Sequence, residues 1–258
     1  MTAEPPESLV TEAVRSLEVR WIFPGQLQAA VAGWFGRFPA RTESREDTYL
    51  LDPPLRGLSV KVRGDAALEV KAYRGSPGIL EVAGRARGHL ESWHKWSFPF
   101  SPACPGSGDP PGWTPVRKKR RISQFSPASG PVVALAAALG QQPRCQVELT
   151  EVHAGGQHWW TLGFEATGPA DLLRSTLQAT ATLVFAHPLP GGVEPGHDHS
   201  RSYAQWLANS PAPAVTPTPE DRPPADALKR ITPAPRPSLG GVPTQLQDAP
   251  QGHLGPAV

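Results

Sequence analysis

The sequence is poor in cysteine and has no paired cysteine motif. Its two cysteines, Cys104 and Cys145, lie far apart without any CxxC spacing. Neither a disulfide framework nor a cysteine zinc site is therefore predicted, and a reducing compartment is expected.

Long apolar runs are also missing, because no window approaches the roughly 18 apolar residues of a spanning helix. Since the N-terminal segment is acidic and lacks the apolar core of a signal peptide, we predict a soluble, cytoplasmic protein with no membrane partner.

A large net charge is absent as well. The 258 residues carry a formal charge of +2, and the isoelectric point is near 8.7. Charge summed over the whole molecule therefore gives only a weak argument for a nucleic-acid or membrane partner, and local clusters must supply a stronger one. The length allows one large domain or two small ones with a sizeable core.

Proline, in contrast, is abundant and unevenly distributed. The chain has 32 prolines, and the C-terminal segment is rich in them, contains no aromatic residue and has no hydrophobic period. Such a segment cannot bury enough apolar surface to offset its ordering entropy. We predict a flexible leader over residues 1–15, one ordered domain over 16–208 and a disordered, proline-rich tail over 209–258.

The clearest local pattern is a β-hairpin. Leu58–Arg63 and Leu68–Tyr73 alternate apolar and charged residues around a turn that begins at Gly64 and Asp65. One face of this hairpin is apolar, and the other carries Lys61, Arg63, Glu69 and Lys71. The charged face either meets solvent or lines an anion-binding cavity. On this stretch alone the pattern favours solvent, because polar-out alternation is typical of a half-buried antiparallel sheet.

Strands dominate the remaining elements. Helices are expected over Gln26–Phe38 and from Pro169 onward, a turn is expected at Gly75–Gly78, and Val132–Leu139 is an apolar stretch of undetermined type. A hairpin-rich sheet with few helices and no βαβ alternation predicts an α+β protein built on an antiparallel β-barrel. The further predicted strands are Leu17–Phe23, Glu46–Leu51, Gly88–Phe98, Val116–Phe125, Arg144–Val152, Trp159–Ala166 and Thr180–Phe185.

A basic run, Arg117–Arg121, lies inside one of these predicted strands. It is compatible with nucleic-acid binding or nuclear localisation. On a strand, however, alternate side chains point to opposite faces, so half of the charge would point into whatever the sheet encloses.

Charged residues also alternate along other predicted strands. Burying them in an apolar core would cost several kcal/mol each unless they were paired, which favours a barrel interior filled by water or ligand. The basic positions are Arg20, Lys61, Arg63, Lys71, Lys95, Lys119 and Arg121, and the acidic ones are Glu18, Glu69, Glu91, Glu148 and Glu165.

The order of these motifs resembles the CYTH superfamily, also called triphosphate tunnel metalloenzymes. The resemblance covers roughly residues 17–207 and rests on short motifs that occur in the family's order. They are Glu18-x-Arg20, Tyr49-Leu-Leu-Asp-Pro, Lys61-x-Arg63, Glu69-x-Lys71, Lys119-x-Arg121, the Val-x-Leu-x-Glu-Val run from Val147, Glu165 and Ser202-Tyr203. The resemblance implies an eight-stranded antiparallel barrel whose tunnel binds triphosphates or polyphosphate.

The resemblance also implies roles for individual residues. Arg20, Lys61, Arg63, Lys71, Lys119 and Arg121 would clamp phosphates, and Glu18, Glu148 and Glu165 would hold Mg²⁺ or Mn²⁺, which prefer oxygen ligands. The acidic motif is incomplete, because Ser16, Thr150 and Gly163 stand where carboxylates are usual. The sequence therefore predicts binding of a phosphate-rich anion, with metal-dependent triphosphatase activity weakened or lost; no catalytic residue is identified.

Other interpretations remain open at this stage. The domain could be a non-catalytic interaction module that uses its basic strand for nucleic acid or an acidic protein, or a structural domain with solvated charges. His197, Asp198 and His199 could form a metal cluster, but their Gly/Pro-rich loop favours solvated surface. Tryptophans could stack a base, although wall packing is the expected role of Trp93, Trp96, Trp159 and Trp160.

Overall fold

The computed structural model describes residues 13–51, 55, 57–64, 66–99, 112–126 and 142–209. Residues 1–12 of the predicted leader, residues 210–258 of the predicted tail, Cys104 and the Val132–Leu139 stretch lie outside the described residues. No helix within the described ranges is long and apolar enough to cross a membrane.

Eight antiparallel strands form a closed barrel in the order β1-β5-β4-β3-β2-β6-β7-β8, in which β1 pairs with both β5 and β8. The predicted α+β class and antiparallel barrel are confirmed, and this closed barrel is the fold that the CYTH resemblance implies. The strands are β1 (Val14–Pro24), β2 (Arg41–Leu50), β3 (Leu58–Arg63), β4 (Ala67–Val82), β5 (Ala86–Pro99), β6 (Trp113–Phe125), β7 (Arg144–Ala154) and β8 (Gln157–Thr167).

Three helices accompany the barrel in the described part of the chain. In the described ranges they are α1 (Ala29–Phe35), α2 (Leu173–Val184) and α3 (Tyr203–Asn209), with a 3₁₀ turn at His197–His199. The predicted strand at Thr180–Phe185 is wrong, because α2 continues through it. Its β-branched residues favour a strand locally, but the helix buries one face against the barrel, and tertiary packing overrides local propensity.

The turn predicted at Gly75–Gly78 is also wrong. Strand β4 runs through this segment, and its pairing with β5 shifts register between Tyr73 and Gly75 and again between Gly75 and Gly78. Both glycines have positive φ, +115° and +116°, which other residues rarely adopt. They therefore provide bulges within one long, bent strand instead of a chain reversal.

The main hydrophobic core lies outside the barrel wall. Alternate β1 residues Leu17, Val19, Trp21 and Phe23 pack in one buried cluster with side chains of α1 and α2. Trp21 is fully buried, and its indole Nε1 donates a hydrogen bond to the Arg87 carbonyl oxygen at 3.0 Å. Because the apolar face of this strand points outward to the helices, its polar face is left for the barrel interior.

A smaller apolar cluster closes one end of the interior. Trp206 and Leu207 of α3 pack against strand residues that share a face with the barrel's inward polar groups. The strand residues of this cluster are Ile22, Tyr49, Val116, Val152 and Ala154. Helix α3 therefore acts as a plug at this end.

Candidate functional site

The barrel encloses a cavity of about 150 Å³ with a strongly charged wall. Strands β1 to β6, which are contiguous around the barrel, supply the basic side chains, whereas β7 and β8 supply only carboxylates among their charged groups. The basic residues are Arg20, Arg41, Arg45, Lys61, Arg63, Lys71, Lys95, Lys118 and Arg120, and the acidic residues are Glu18, Glu69, Glu91, Glu148 and Glu165.

The charged face of the β3–β4 hairpin points into this cavity. Lys61 is 9% exposed and Glu69 4%, whereas Leu58 on the opposite face is 38% exposed. The solvent-facing interpretation favoured by the hairpin alone is therefore wrong. Ion pairing offsets the cost of burying these charges, because Lys61 Nζ lies 3.0 Å from Glu69 Oε2 and Arg63 donates to Glu69 Oε1 at 3.0 Å.

Four of the six predicted phosphate clamps, Arg20, Lys61, Arg63 and Lys71, line the cavity. The other two do not. The Lys119 side chain is 55% exposed on the outer face, 3.7 Å from Glu151, and Arg121 donates to the Ala32 carbonyl oxygen at 3.3 Å.

Their neighbours on β6, Lys118 and Arg120, point inward instead. The buried apolar residues Val116 and Ile122 fix this facing, because they lie at even-numbered positions with Lys118 and Arg120. The motif match placed the opposite face inside, because alternation alone does not say which face of a strand points inward.

A buried cluster around Asp47 was also missed. Its carboxylate is fully buried and accepts hydrogen bonds from Lys118 Nζ at 2.8 Å and Lys61 Nζ at 3.1 Å. Arg45 Nε lies 3.0 Å from its other oxygen. Burial opposes ionisation of Asp47, but the three cations outweigh it and hold the pKa of this carboxyl below its ordinary range.

Two tyrosines complete the closed end of the cavity. Lys118 Nζ donates to the Tyr49 hydroxyl at 2.6 Å and lies 4.1 Å from the centre of the Tyr203 ring. Burial lowers the pKa of Lys118, and the nearby charge of Lys61 adds to this effect. The deepest basic group is thus held by one carboxylate and two aromatic rings.

Glu148 on β7 lies between two guanidinium groups. It accepts a hydrogen bond from Thr150 Oγ1 at 2.7 Å, lies 3.4 Å from an Arg20 nitrogen and is ion-paired with Arg120. Arg120 also pairs with Glu43. Burial opposes ionisation of Glu148, but the two arginines together lower the pKa of its carboxyl well below the usual value.

The remaining predicted metal ligands are likewise held by basic side chains. Lys71 Nζ lies 2.6 Å from Glu18 Oε1 and 3.9 Å from Glu165 Oε1, and Lys95 Nζ lies 3.8 Å from the same Glu165 oxygen. Among the residues that the structure describes, no three His, Cys, Asp or Glu side chains converge as a metal site. Since each predicted ligand is paired with Lys or Arg, this donor set does not fit Mg²⁺ or Mn²⁺.

The other singled-out residues have packing roles. Trp160 stacks on Phe23 at 4.2 Å between ring centroids, and Trp159 packs edge-on against Trp206. Trp93 lines the cavity and donates its indole N–H to Glu91. The segment His197–His199 forms the exterior 3₁₀ turn.

The surroundings of Glu91 predict a pH effect on stability. It is buried, accepts only the Trp93 Nε1 hydrogen bond at 3.2 Å and forms no ion pair within the described part of the chain. Burial raises the pKa of Glu91 to about 7. Because this pKa is raised in the folded state, the contribution of the Glu91 carboxyl to stability is complete at pH values below its unfolded-state pKa. That contribution is lost as pH rises through about 7.

We therefore expect Glu91→Gln to resemble the wild type in stability at pH 5 and to exceed it at pH 8 by about 3 kcal/mol, because glutamine cannot ionise. Urea unfolding at the two pH values measures the difference. Glu81→Gln, at an exposed position of β4, is the control for the same chemical change and should have little effect on stability. An equal effect of Glu91→Gln at both pH values would contradict the prediction.

No family model matches the sequence, and no curated protein matches it. Among solved structures, a conserved hypothetical protein from Pyrococcus furiosus is 17% identical, with 73% of this chain and 98% of that chain covered and a TM-score of 0.39. The S. pombe Pct1 RNA triphosphatase in complex with the Spt5 CTD is 10% identical, with coverages of 68% and 79% and a TM-score of 0.34. The Mimivirus capping enzyme triphosphatase is 9% identical, with coverages of 66% and 89% and a TM-score of 0.35. Likenesses this distant carry no functional inference for this chain.

Proposed function

We propose that the barrel interior binds a triphosphate- or polyphosphate-type anion. The observation that carries this proposal is the convergence of nine basic side chains, from six adjacent strands, on one cavity inside the barrel. At about 150 Å³ the cavity is smaller than the roughly 300 Å³ lower limit of typical drug-sized sites. A compact, highly charged ligand therefore suits it better than a bulky apolar one.

Carboxylates do not cancel all of this positive charge. The five acidic residues of the cavity wall, together with Glu43 and Asp47 behind it, still leave more basic than acidic groups. The Nε atom of Arg120 is buried and has no hydrogen-bond acceptor among the described residues. Arginine is suited to contact phosphate through two nitrogens at once.

A purely structural role explains these charges less well. Buried ion pairs are often no more stabilising than apolar side chains of similar size, because desolvation offsets the Coulomb attraction. A barrel interior filled by apolar groups would therefore be at least as stable. Retaining the charges is useful if they recognise a ligand.

The outer face of β6 offers less support for an interaction module. Arg117 Nε lies 2.9 Å from Glu46, Lys119 lies 3.7 Å from Glu151, and Arg121 contacts a backbone carbonyl. These contacts reduce the positive field that a nucleic acid or acidic protein would meet. Because the predicted metal ligands are held by Lys and Arg, no hydrolytic step is assigned to the cavity.

In the proposed complex, phosphoryl oxygens accept hydrogen bonds from the basic side chains of the cavity. Arg63 is the best position at which to test these contacts. Its side chain is 41% exposed, and Glu69 keeps Lys61 as a partner when Arg63 is removed. We expect inorganic tripolyphosphate to raise the melting temperature in EDTA, by an amount equivalent to about 2.7 kcal/mol at 100 times Kd. Arg63→Gln should weaken tripolyphosphate binding about tenfold in calorimetry, as expected for one charge-assisted hydrogen bond.

Arg117→Gln, on the exposed outer face of β6, is the matched control and should bind tripolyphosphate as the wild type does. Equal losses in both variants would contradict the cavity as the site. Salt-dependent RNA binding that tripolyphosphate does not displace would instead support the interaction module.

A further inference from the structure

Gly163 on β8 is a glycine that the backbone conformation does not require, since it is not among the positive-φ residues. The Arg20 side chain, which lies against this position, explains why a glycine occurs here. A Cβ atom at position 163 would lie 2.7 Å from Arg20 Cζ and 2.8 and 2.9 Å from the two terminal guanidinium nitrogens. These separations are well inside van der Waals contact, so any other residue here would displace the guanidinium.

The Arg20 side chain is fixed in this place by three further contacts. One terminal nitrogen donates to Thr161 Oγ1 at 2.9 Å and lies 3.4 Å from Glu148 Oε1. The guanidinium carbon lies 4.6 Å from the centre of the Tyr203 ring. Arg20 therefore crosses from β1 over β8 toward the carboxylate on β7.

In this arrangement the Arg20 guanidinium stands where the sequence resemblance implies a divalent metal ion. The sequence resemblance implies a carboxylate at position 163 that would hold a divalent metal together with Glu148 and Glu165. Here the carboxylate is absent, and a guanidinium occupies its space and faces Glu148. Arginine is charged at every accessible pH and needs no free metal.

We propose that the Arg20 guanidinium takes the electrostatic place of a metal ion, so that the cavity binds its anion without metal, and that Gly163 is the specificity-determining residue that makes room for it. The proposal rests on the proposed anion-binding function for its ligand. Arg120 supports the same arrangement from the other side of Glu148, which leaves this carboxylate bracketed by two guanidinium groups.

The first test changes the position of Arg20 without changing charge. We expect Gly163→Ala to weaken tripolyphosphate binding in EDTA at least tenfold, because the added Cβ meets the guanidinium. Gly33→Ala is the control, since a Cβ at this helical glycine meets nothing within 4 Å. Circular dichroism confirms that each variant is folded. If the Gly163→Ala variant binds as tightly as the wild type, the placement of Arg20 does not matter and the proposal is overturned.

The second test measures metal binding directly, in the absence of phosphate. In Mn²⁺ titrations followed by electron paramagnetic resonance, we expect no cavity binding by the wild type. We expect binding by the double variant Arg20→Ala with Gly163→Glu, which restores a carboxylate beside Glu148. Wild-type binding of Mn²⁺ that is lost in Glu148→Gln would overturn the proposal, and so would a properly folded double variant that binds no Mn²⁺.

The two proposals fail in different ways. Tripolyphosphate binding by the wild type only when Mg²⁺ or Mn²⁺ is present would overturn the role of Arg20 while leaving the cavity as an anion site. No tripolyphosphate binding under any condition would overturn the anion site itself. The Mn²⁺ titration would in that case still decide whether Arg20 excludes metal.

Discussion

Asp47→Asn is expected to destabilise the fold by about 3 to 5 kcal/mol, the usual cost of removing one partner of a buried ion pair. The carboxylate is fully buried and is the shared partner of Lys61, Lys118 and Arg45. Asparagine keeps the shape but removes the charge, so three cations lose their common counter-ion. Urea unfolding followed by circular dichroism at pH 7 measures the change.

The adjacent residue supplies the control. Glu46 lies on the opposite face of β2, where it pairs with the exposed Arg117 at 2.9 Å. An exposed pair of this kind contributes about 0.2 to 1 kcal/mol, so Glu46→Gln should have little effect. Similar destabilisation by the two substitutions would show that Asp47 does not hold the interior charges together.

Arg120→Gln is expected to reduce tripolyphosphate affinity by a factor of about 10 to 100, the equivalent of one or two charge-assisted hydrogen bonds. Arg120 is buried in the cavity wall, and its Nε has no hydrogen-bond acceptor within the described ranges. Glu148 keeps Arg20 and Glu43 keeps Arg45 when Arg120 is replaced, so the network retains partners. Isothermal titration calorimetry in EDTA measures the affinity.

Arg121→Gln is the matched control for this substitution. It removes the same chemical group one residue along β6, from the outer face, where Arg121 contacts the Ala32 carbonyl. We expect affinity within about twofold of the wild type. A larger loss of tripolyphosphate affinity in Arg121→Gln than in Arg120→Gln would mean that Arg121 points inward, as the sequence motif predicts, and not outward as in the structure.

This pair of positions shows where sequence reasoning works and where it stops. The alternation along β6 predicts a strand with charge on both faces, but the pattern alone does not say which face is inside. A shift of one residue exchanges the faces completely. The buried residues Val116 and Ile122 share the inward face with Lys118 and Arg120, and their burial is visible only in the folded barrel.

Long-range contacts also explain why the Asp47 cluster was missed. The predicted strand began at Glu46, whereas β2 begins at Arg41 and carries charged residues at every second position up to Asp47. This period was visible in the sequence and would have extended the strand. The partners Lys61 and Lys118, however, come from β3 and β6, and their convergence follows from barrel closure, which local patterns do not encode.

The β3–β4 hairpin, by contrast, was predictable because it is local. It depends on alternation around a short turn, and it is present. The errors at Gly75–Gly78 and Thr180–Phe185 arose where tertiary structure overrides a local preference: bulges keep glycines inside a strand, and packing keeps β-branched residues inside a helix.

The most direct measurement is a crystal structure of the protein with tripolyphosphate bound in the presence of EDTA. We expect phosphate density inside the barrel, in contact with Arg20 and Arg120 and without a metal ion between the phosphates and Glu148. Density confined to the outer face of β6, beside Arg117 and Lys119, would contradict it.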